Sequence, residues 1–493
     1  MKLHFSARAF AALSFSLAAP LLAQDTRNVV EPKLPAPCAV LTANLVAKDA
    51  KLSETDERKL DTERIQKALD SCKAGMGVEL KAAGAKNAFL SGPLELRSNV
   101  ALVVDRGVTV FASRDASLYE MRGPDAKPGD PVRCGTAIPR PGQFGQEAGM
   151  EQAAAIRKGA GCHALITAHN VTNAALMGEG TLDGRGYAKL LGKDYSWWEM
   201  ARKSEPHDDI YFSSKLVAAD HADGLILYKI HLNNAPNYHV VVGSTNGFTA
   251  WGVHLLTPTT RGLDARNTDG IDPGNSQNIT VAHSWIDNGD DNIAIKSNVQ
   301  HMSVLDNHFY TGHGMSIGSE TIGQAYLLVD GLTEDHTSSG IRIKSNVTRG
   351  GQVHDLTYRN ICMRNVDRPI AISPYYTNQT TEGFVDPGYQ GTKIPDFKKI
   401  VLENVYATTP GDVLIAGIDE AHRTQVTLDN VVVTGIDGTR VHLAFSDLTL
   451  KGAVGFPLPK VASVKFLVAD PPKEPKQDNK PSDVCANKFV PMQ

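Results

Sequence analysis

The chain reads as an all-β protein, a parallel β-helix with a short N-terminal capping helix. Three observations lead there. Short β-rich runs recur, among them Gly224-Leu-Ile-Leu-Tyr, Gly247-Phe-Thr-Ala-Trp, Asn278-Ile-Thr-Val-Ala and His301-Met-Ser-Val-Leu, whose starts are separated by 23, 31 and 23 residues. Further runs begin at Asp355, Lys399 and Gln425. Within the runs apolar and polar residues alternate, the mark of a strand with one buried face. No helical pattern separates them, which excludes folds that alternate strands with helices. A period near the low twenties fits a solenoid whose coils stack directly on one another, and the longer steps are coils with an enlarged loop. The leucine and asparagine ladder of a leucine-rich repeat is absent. Asn246-Gly247 and Asp269-Gly270 are hairpin dipeptides, but they do not join strand patterns of matching length, which argues against a sandwich.

Four regions follow in order. Residues 1–23 read as a signal peptide: Lys2 and Arg8 are basic, Ala9 to Leu22 are largely apolar, and cleavage after Ala23 precedes the polar Gln24-Asp25-Thr26. The apolar run falls short of the ~20 residues a spanning helix needs, and no later segment is apolar enough to span a bilayer, so a secreted, extracellular protein without a membrane partner is expected. Residues 24–98 form an entry and cap region. In it Asp61 to Cys72 has helical spacing, with Ile65, Ala68 and Leu69 on one face, and such a helix covers the open end of a solenoid. Residues 99–469 carry the β-helix. Residues 470–493 form an extended tail, rich in proline and charge from Asp470 to Asp483.

Hydrophobic residues make up 42% and charged residues 21% of the 493, which places the chain among globular proteins. The formal net charge is -4, and loss of Lys2 and Arg8 takes it to -6. Nothing here attracts a polyanion globally, so nucleic acid is not an expected partner, and an acidic ligand must be met by a local basic cluster. There are six cysteines, Cys38, Cys72, Cys134, Cys162, Cys362 and Cys485, none with zinc-site spacing. In an exported protein they read as disulfides. Of 15 connectivities, proximity in the chain suggests Cys38–Cys72 and Cys134–Cys162, and Cys485 is placed to tie down the tail.

Four segments carry chemistry: Asn267-Thr268-Asp269-Gly270, Gly289-Asp290-Asp291-Asn292, Gly312-His313-Gly314 and Arg342-Ile343-Lys344. Asp269 to Asp290 is 21 residues, Asp291 to His313 is 22, and His313 to Arg342 is 29. Each step is about one coil, and stacked strands lie ~4.8 Å apart, so these side chains form one column. Each motif alone is ordinary, Asn-Thr-Asp-Gly being usually a turn; together, at coil spacing, they have the parts of a glycosidase. One carboxylic acid must protonate the leaving oxygen while a carboxylate activates water or attacks the sugar. Crowding three carboxylates raises the pKa of at least one and keeps an acid protonated. Adjacent Asp290 and Asp291 both reach a cleft only where the chain bends, which Gly289 permits. Arg342 and Lys344, two apart on a strand, share a face and suit a substrate carboxylate.

At these residues the chain resembles the polygalacturonases, glycoside hydrolase family 28, whose N-T-D, G-D-D, G-H-G and R-I-K signatures appear here in order. The resemblance includes Gly180-Thr-Leu-Asp-Gly-Arg-Gly186 with Trp197-Trp198, and Asn234-Ala-Pro-Asn-Tyr-His239, and spans roughly Asn99 to Val433. It implies a right-handed parallel β-helix, no cofactor, no metal, and a monomer that hydrolyses α-1,4-galacturonosidic bonds of polygalacturonate with inversion. By motif, Asp290 is the general acid, Asp269 and Asp291 position and deprotonate the water, and His313 supports the protonation of the acid. Arg342 and Lys344 bind the galacturonate carboxylate, and Asn267 helps shape the site. A tyrosine one coil after R-I-K also binds substrate, and Tyr375 and Tyr376 both qualify. The chain departs from many relatives in having Asn292 where they have cysteine, and Glu320 where some lack it. Cleavage within the polymer is expected, with no extra domain preceding the helix. A polysaccharide lyase on the same fold would need a calcium site and a basic proton abstractor, and a glycan-binding adhesin would not need three crowded acids.

Overall fold

In a computed structural model, residues 24–122, 132–139, 160–207, 209–257, 265–376, 391–468 and 480–492 are described. The segment read as a signal peptide, and most of the proline-rich part of the tail, lie outside them.

The described chain is a right-handed parallel β-helix, formed from one 23-stranded and one 11-stranded sheet. Successive coils stack in register, so equivalent positions superpose along the axis. One inward column runs Phe248, Ile279, Met302, Leu327, Leu356, Ile400, Val426. A second, on the smaller sheet, runs Ile271, Ile293, Met315, Ile341, Ile370, Val413, Val441. Both columns belong to one continuous apolar core inside the coil. The alternation visible in sequence thus separates core from surface, as a strand period of two demands. Asparagines punctuate the bends because they tolerate left-handed backbone and bond to the next coil. Asn278 and Asn298, both left-handed, donate to Asn246 at 2.8 Å and to Asn275 at 3.0 Å.

Parallel stacking starts upstream of Asn99, with Pro37–Thr42 on Met76–Lys81 and Met76–Lys81 on Val100–Val104. Bulge, helix and short strands interrupt these first coils, so they show no clean repeat in sequence. The helix spans Thr62–Ser71 and buries Ile65 and Leu69 in the core beside the first coils. Ahead of it, Asp25 accepts from Thr280 Oγ1 at 2.7 Å and Arg27 donates to the Phe248 carbonyl at 2.8 Å, so the entry segment laces separate coils together. The six cysteines pair as Cys38–Cys72, Cys134–Cys162 and Cys362–Cys485, the last tying the tail to the coils across 123 residues.

Antiparallel strand pairs occur, among the described residues, only between Ala137–Ile138 and Ile210–Tyr211 and between Glu120–Arg122 and Ala160–Cys162. They belong to an insertion with its own small core of Tyr119, Leu190, Trp197, Trp198, Ile210 and Phe212. The Cys134–Cys162 disulfide staples it.

One buried group sets a pH dependence of stability. Glu334 is fully buried; its Oε1 accepts from the Met315 amide at 3.3 Å, while Oε2 has no partner. Burial raises its pKa from 4.5 to about 8. A carboxyl whose folded pKa lies above its unfolded value contributes fully below pH 4.5 and loses that contribution as pH rises toward 8. The loss approaches about 1.4 kcal/mol per pH unit across this window. Glu334→Gln is therefore expected to gain several degrees of melting temperature on wild type between pH 5 and pH 8. Parallel melting curves for the two proteins across that range would refute it.

Candidate functional site

The turn Asn267-Thr268-Asp269-Gly270 is held from behind. His239 is buried, with Nδ1 3.1 Å from the Thr268 and Asp269 carbonyls, while Thr257 Oγ1 is 2.8 Å from its Nε2. Burial lowers its pKa to about 4, so it serves as a neutral clamp that donates from one nitrogen and accepts at the other. Asn288 Nδ2 donates to the Thr268 carbonyl at 2.8 Å and to the Asp291 carbonyl at 2.9 Å, joining the first turn to the second. Gly289 does permit the bend at the aspartate pair, and the reason is space: a Cβ there would lie 2.2 Å from the Ala265 carbonyl oxygen. Asn292, the residue that departs from many relatives, donates to Asn288 Oδ1 and the Thr311 carbonyl at 2.8 Å each and accepts from the Gly314 amide at 2.8 Å. It ties the aspartate turn to the His313 turn.

Coil stacking brings Asn267, Asp269, Asp290, Asp291, His313, Arg342 and Lys344 to one patch. A cleft of about 910 Å³ opens over it, lined by Tyr211, Tyr238, Asn267, Asp290, His313 and Arg342 among others. The three aspartates differ in place. The Asp290 side chain is 20% exposed; Asp269 and Asp291 lie behind it at 4% and 1%. Asp290 Oδ1 is 3.1 Å from His313 Nδ1 and accepts from the Asp291 amide at 2.8 Å, while Oδ2 faces Asn267 Nδ2 at 3.5 Å. Asp291 accepts from Lys344 Nζ at 2.6 Å, Arg342 Nη1 at 2.8 Å and Ser316 Oγ at 2.7 Å.

The pKa values spread accordingly. Burial disfavours ionisation at all three aspartates. At Asp290 the His313 hydrogen bond and charge, with Lys344, overcome it and hold the carboxyl well below the usual carboxylate range. At Asp291, Lys344 and Arg342 overcome it. At Asp269 the charge of Lys296 does not overcome it: burial, followed by the charges of Asp272, Asp290 and Asp291, pushes the pKa far up. Burial first, and crowding after it, thus raise one of the three carboxyls, Asp269.

Arg342 and Lys344 share an outward face, alternating with the core residues Ile341 and Ile343, as a strand requires. They are not equivalent. Arg342 lines the cleft, whereas Lys344 is buried behind it against Asp291. Tyr376 lines the cleft with its ring 5.7 Å from the Arg342 guanidinium and 5.0 Å from Lys344 Nζ. Tyr375 points away, is buried, and donates to the Ile418 carbonyl at 3.1 Å.

Several residues at the site were not singled out in sequence. Asp272 is buried with Oδ2 3.8 Å from Lys296 Nζ, and burial raises its pKa to about 7 against the pull of that lysine. Burial disfavours the Lys296 charge, but Asp272, Asp269 and Asp291 together hold it firmly protonated. Strand alternation around Ile271 and Ile295 would have placed both outward beside the aspartates. Tyr211 reaches Asn267 Oδ1 at 2.7 Å from the insertion, and no spacing rule signals it.

Asp290, Asp291 and His313 each present an atom within 4.8 Å of the others, a grouping that could hold a cation. Lys344 and Arg342 already bond to both oxygens of Asp291, so a cation there would share that carboxylate with two positive groups.

The chain is similar to the endo-polygalacturonase of Pectobacterium carotovorum subsp. carotovorum, 38% identical over 421 residues that cover 84% of this chain and 91% of the relative. It is 32% identical over 455 residues to the polygalacturonase of Ralstonia nicotianae, covering 83% of this chain and 80% of that protein. The crystal structure of the polygalacturonase from Erwinia carotovora ssp. carotovora superposes with a TM-score of 0.66 at 34% identity, over 92% of this chain and all of that one. The family model described as glycosyl hydrolases family 28 matches residues 140–446, so with its column of aspartates on a parallel β-helix the chain belongs to that family.

Proposed function

We propose that the protein is a secreted, monomeric enzyme that hydrolyses α-1,4-galacturonosidic bonds within polygalacturonate, the de-esterified form of pectin, with inversion at the anomeric carbon. The observation that carries this reading is the charge arrangement in the cleft: of the three stacked aspartates Asp290 is the accessible one, beside a cleft-lining cation, Arg342, and it is backed by two buried aspartates of opposite protonation tendency. The similarity to an endo-polygalacturonase over 84% of the chain supports the substrate and cleavage within the polymer. Among the described residues no helix is long and apolar enough to cross a membrane, which accords with export to the medium.

In this reading Asp290 protonates the leaving glycosidic oxygen, the bond from that oxygen to the anomeric carbon breaks, and water adds to the opposite face. Asp269 and Asp291 orient the water and take its proton. Burial and the neighbouring aspartates favour a proton on Asp269, and the reaction needs one on Asp290. A galacturonate carboxylate arriving at Arg342 and Lys344 offsets the positive charge that holds Asp290 ionised, which moves the proton toward the cleft. His313 then governs when Asp290 keeps it. Asn267 and Tyr376 shape the walls around the sugar.

The carboxyls of an inverting glycosidase usually stand about 6.5–9.5 Å apart, and Asp290 and Asp291 have oxygens within 4.8 Å. Inversion therefore rests on the family resemblance, and stereochemistry is the test. NMR of fresh product is expected to show the β-anomer first, and sized products a ladder of oligomers. Initial α-anomer would overturn the water-attack mechanism, and release of monomer or dimer alone would overturn endo cleavage.

A further inference from the structure

The cleft wall contains a contact that no coil of the repeat provides. Tyr211 belongs to the stapled insertion, where Ile210–Tyr211 pairs with Ala137–Ile138 and Tyr211 stands opposite Ala137. The flanking Ile210 and Phe212 are buried in the small core of the insertion. The Phe212 carbonyl accepts from the Gly135 amide at 2.9 Å, next to the Cys134–Cys162 disulfide. The tyrosine is thus fixed from outside the β-helix and projects into the cleft.

Its hydroxyl donates to Asn267 Oδ1 at 2.7 Å and lies 3.4 Å from Asn237 Nδ2. Asn267 Nδ2 in turn faces Asp290 Oδ2 at 3.5 Å. An asparagine amide has two ends of nearly equal shape and opposite polarity, so packing alone does not choose its orientation. The hydrogen-bond partners choose it here. The Asn237 amide nitrogen is a donor only, so it takes a lone pair of the Tyr211 oxygen and leaves the phenolic proton for Asn267 Oδ1. With Oδ1 occupied, the N–H end of Asn267 must face Asp290, where the reverse orientation would set a carbonyl oxygen against a carboxylate. The contacts form a directional chain from Asn237 through Tyr211 and Asn267 to Oδ2 of Asp290.

We propose that Tyr211 is a positioning residue: by accepting from Asn237 and donating to Asn267, it locks the Asn267 amide with its N–H end toward Asp290. This rests on the reading of Asp290 as the group that acts on the glycosidic bond. It makes the stapled insertion a working wall of the site and gives the Cys134–Cys162 disulfide a part in holding that wall.

The test is a double-mutant cycle on the full-length enzyme with Tyr211→Phe, Asn267→Ala and both together, reading kcat, KM on polygalacturonate and melting temperature. Tyr211→Phe removes one oxygen and keeps the ring. It should lower kcat about 10-fold, as a small misplacement of a reacting group does, with KM within about twofold and melting unchanged. In the Asn267→Ala background the same change should have no further effect on kcat, because the amide it orients is gone. Multiplicative effects of the two changes on kcat, or an unaltered kcat in Tyr211→Phe, would overturn the proposal. So would a fall in melting temperature that accounts for the lost activity equally in both backgrounds, since Tyr211 would then be a packing residue. Asp290→Asn, assayed alongside, tests the underlying reading separately: if it stayed active, the role of Asp290 would fail while the Tyr211–Asn267 coupling was still decided by the cycle.

Discussion

Asp290→Asn is expected to cut the hydrolysis rate on polygalacturonate by about 10²–10⁴-fold, the usual cost of removing a general acid or base, while the protein stays folded. Of the three stacked aspartates Asp290 is the one that lines the cleft, and the amide of asparagine has the same shape but cannot give up a proton to a leaving oxygen. Its backbone contacts, the carbonyl that accepts from His313 N at 2.9 Å among them, survive the change. Asp269→Asn and Asp291→Asn should lose activity on the same scale. Their losses should not multiply with that of Asp290→Asn, because the three act on one event. They should differ in stability. Burial disfavours the charge of Asp269, so an amide replaces it at little cost. Asp291 is the shared counter-ion of Lys344 and Arg342, and its loss leaves a buried ammonium without a partner. If folded Asp290→Asn kept more than a tenth of the activity, its assignment as the acid would be wrong.

Lys344→Ala and Arg342→Ala are expected to separate two functions that the R-I-K motif joins. Lys344 is buried and bonded to Asp291 at 2.6 Å, and breaking a buried pair by removing one partner costs about 3–5 kcal/mol. Lys344→Ala should therefore melt well below wild type near neutral pH. The sign of its pH dependence follows from Asp291, whose folded pKa is depressed by Lys344 and then Arg342. Its contribution is present above the unfolded value of 3.8 and is lost as pH falls through the folded one, so the deficit of the variant should shrink in acid. Arg342 lines the cleft with the Tyr376 ring beside it and keeps guanidinium donors beyond the one given to Asp291. Arg342→Ala should weaken binding by about 2–5 kcal/mol if it holds a desolvated substrate carboxylate. It should also shrink the preference for polygalacturonate over highly methylated pectin, since the discriminating group is gone. The measurement is kcat/KM on both polymers for wild type and both variants. A ratio unchanged in both variants would sink the carboxylate-binding role and leave the pair as counter-ions of Asp291.

What the sequence determined by itself was whatever a repeat writes along the chain. Coil-length spacing put Asp269, Asp290, His313 and Arg342 in one column, because each coil consumes a near-constant length and superposes on the last. Alternation around Ile341 and Ile343 put Arg342 and Lys344 on one outward face, because a strand has a period of two. Nearness in the chain was enough for Cys38–Cys72 and Cys134–Cys162. The tertiary structure decided what depends on depth and on neighbours from elsewhere. Tyr375 and Tyr376 are adjacent, and only the path of the loop sends one toward Ile418 and the other over the cations. Arg342 and Lys344 share a face, and only the placement of Asp291 makes one a cleft wall and the other a buried counter-ion. Three aspartates carry the same functional group, and their protonation is divided by which of them His313, Lys344 and Arg342 can touch. Glu334 and Asp272 sit in strands like any other residue; enclosure raises their pKa values, and at Asp272 the charges of Asp291 and Asp290 add to it. Cys362–Cys485 and Tyr211 join the coils to a tail and an insertion that carry no period, so no spacing announces them. Periodicity is local and is written into the chain, whereas desolvation, charge sharing and docking arise only when distant segments close around the same few atoms.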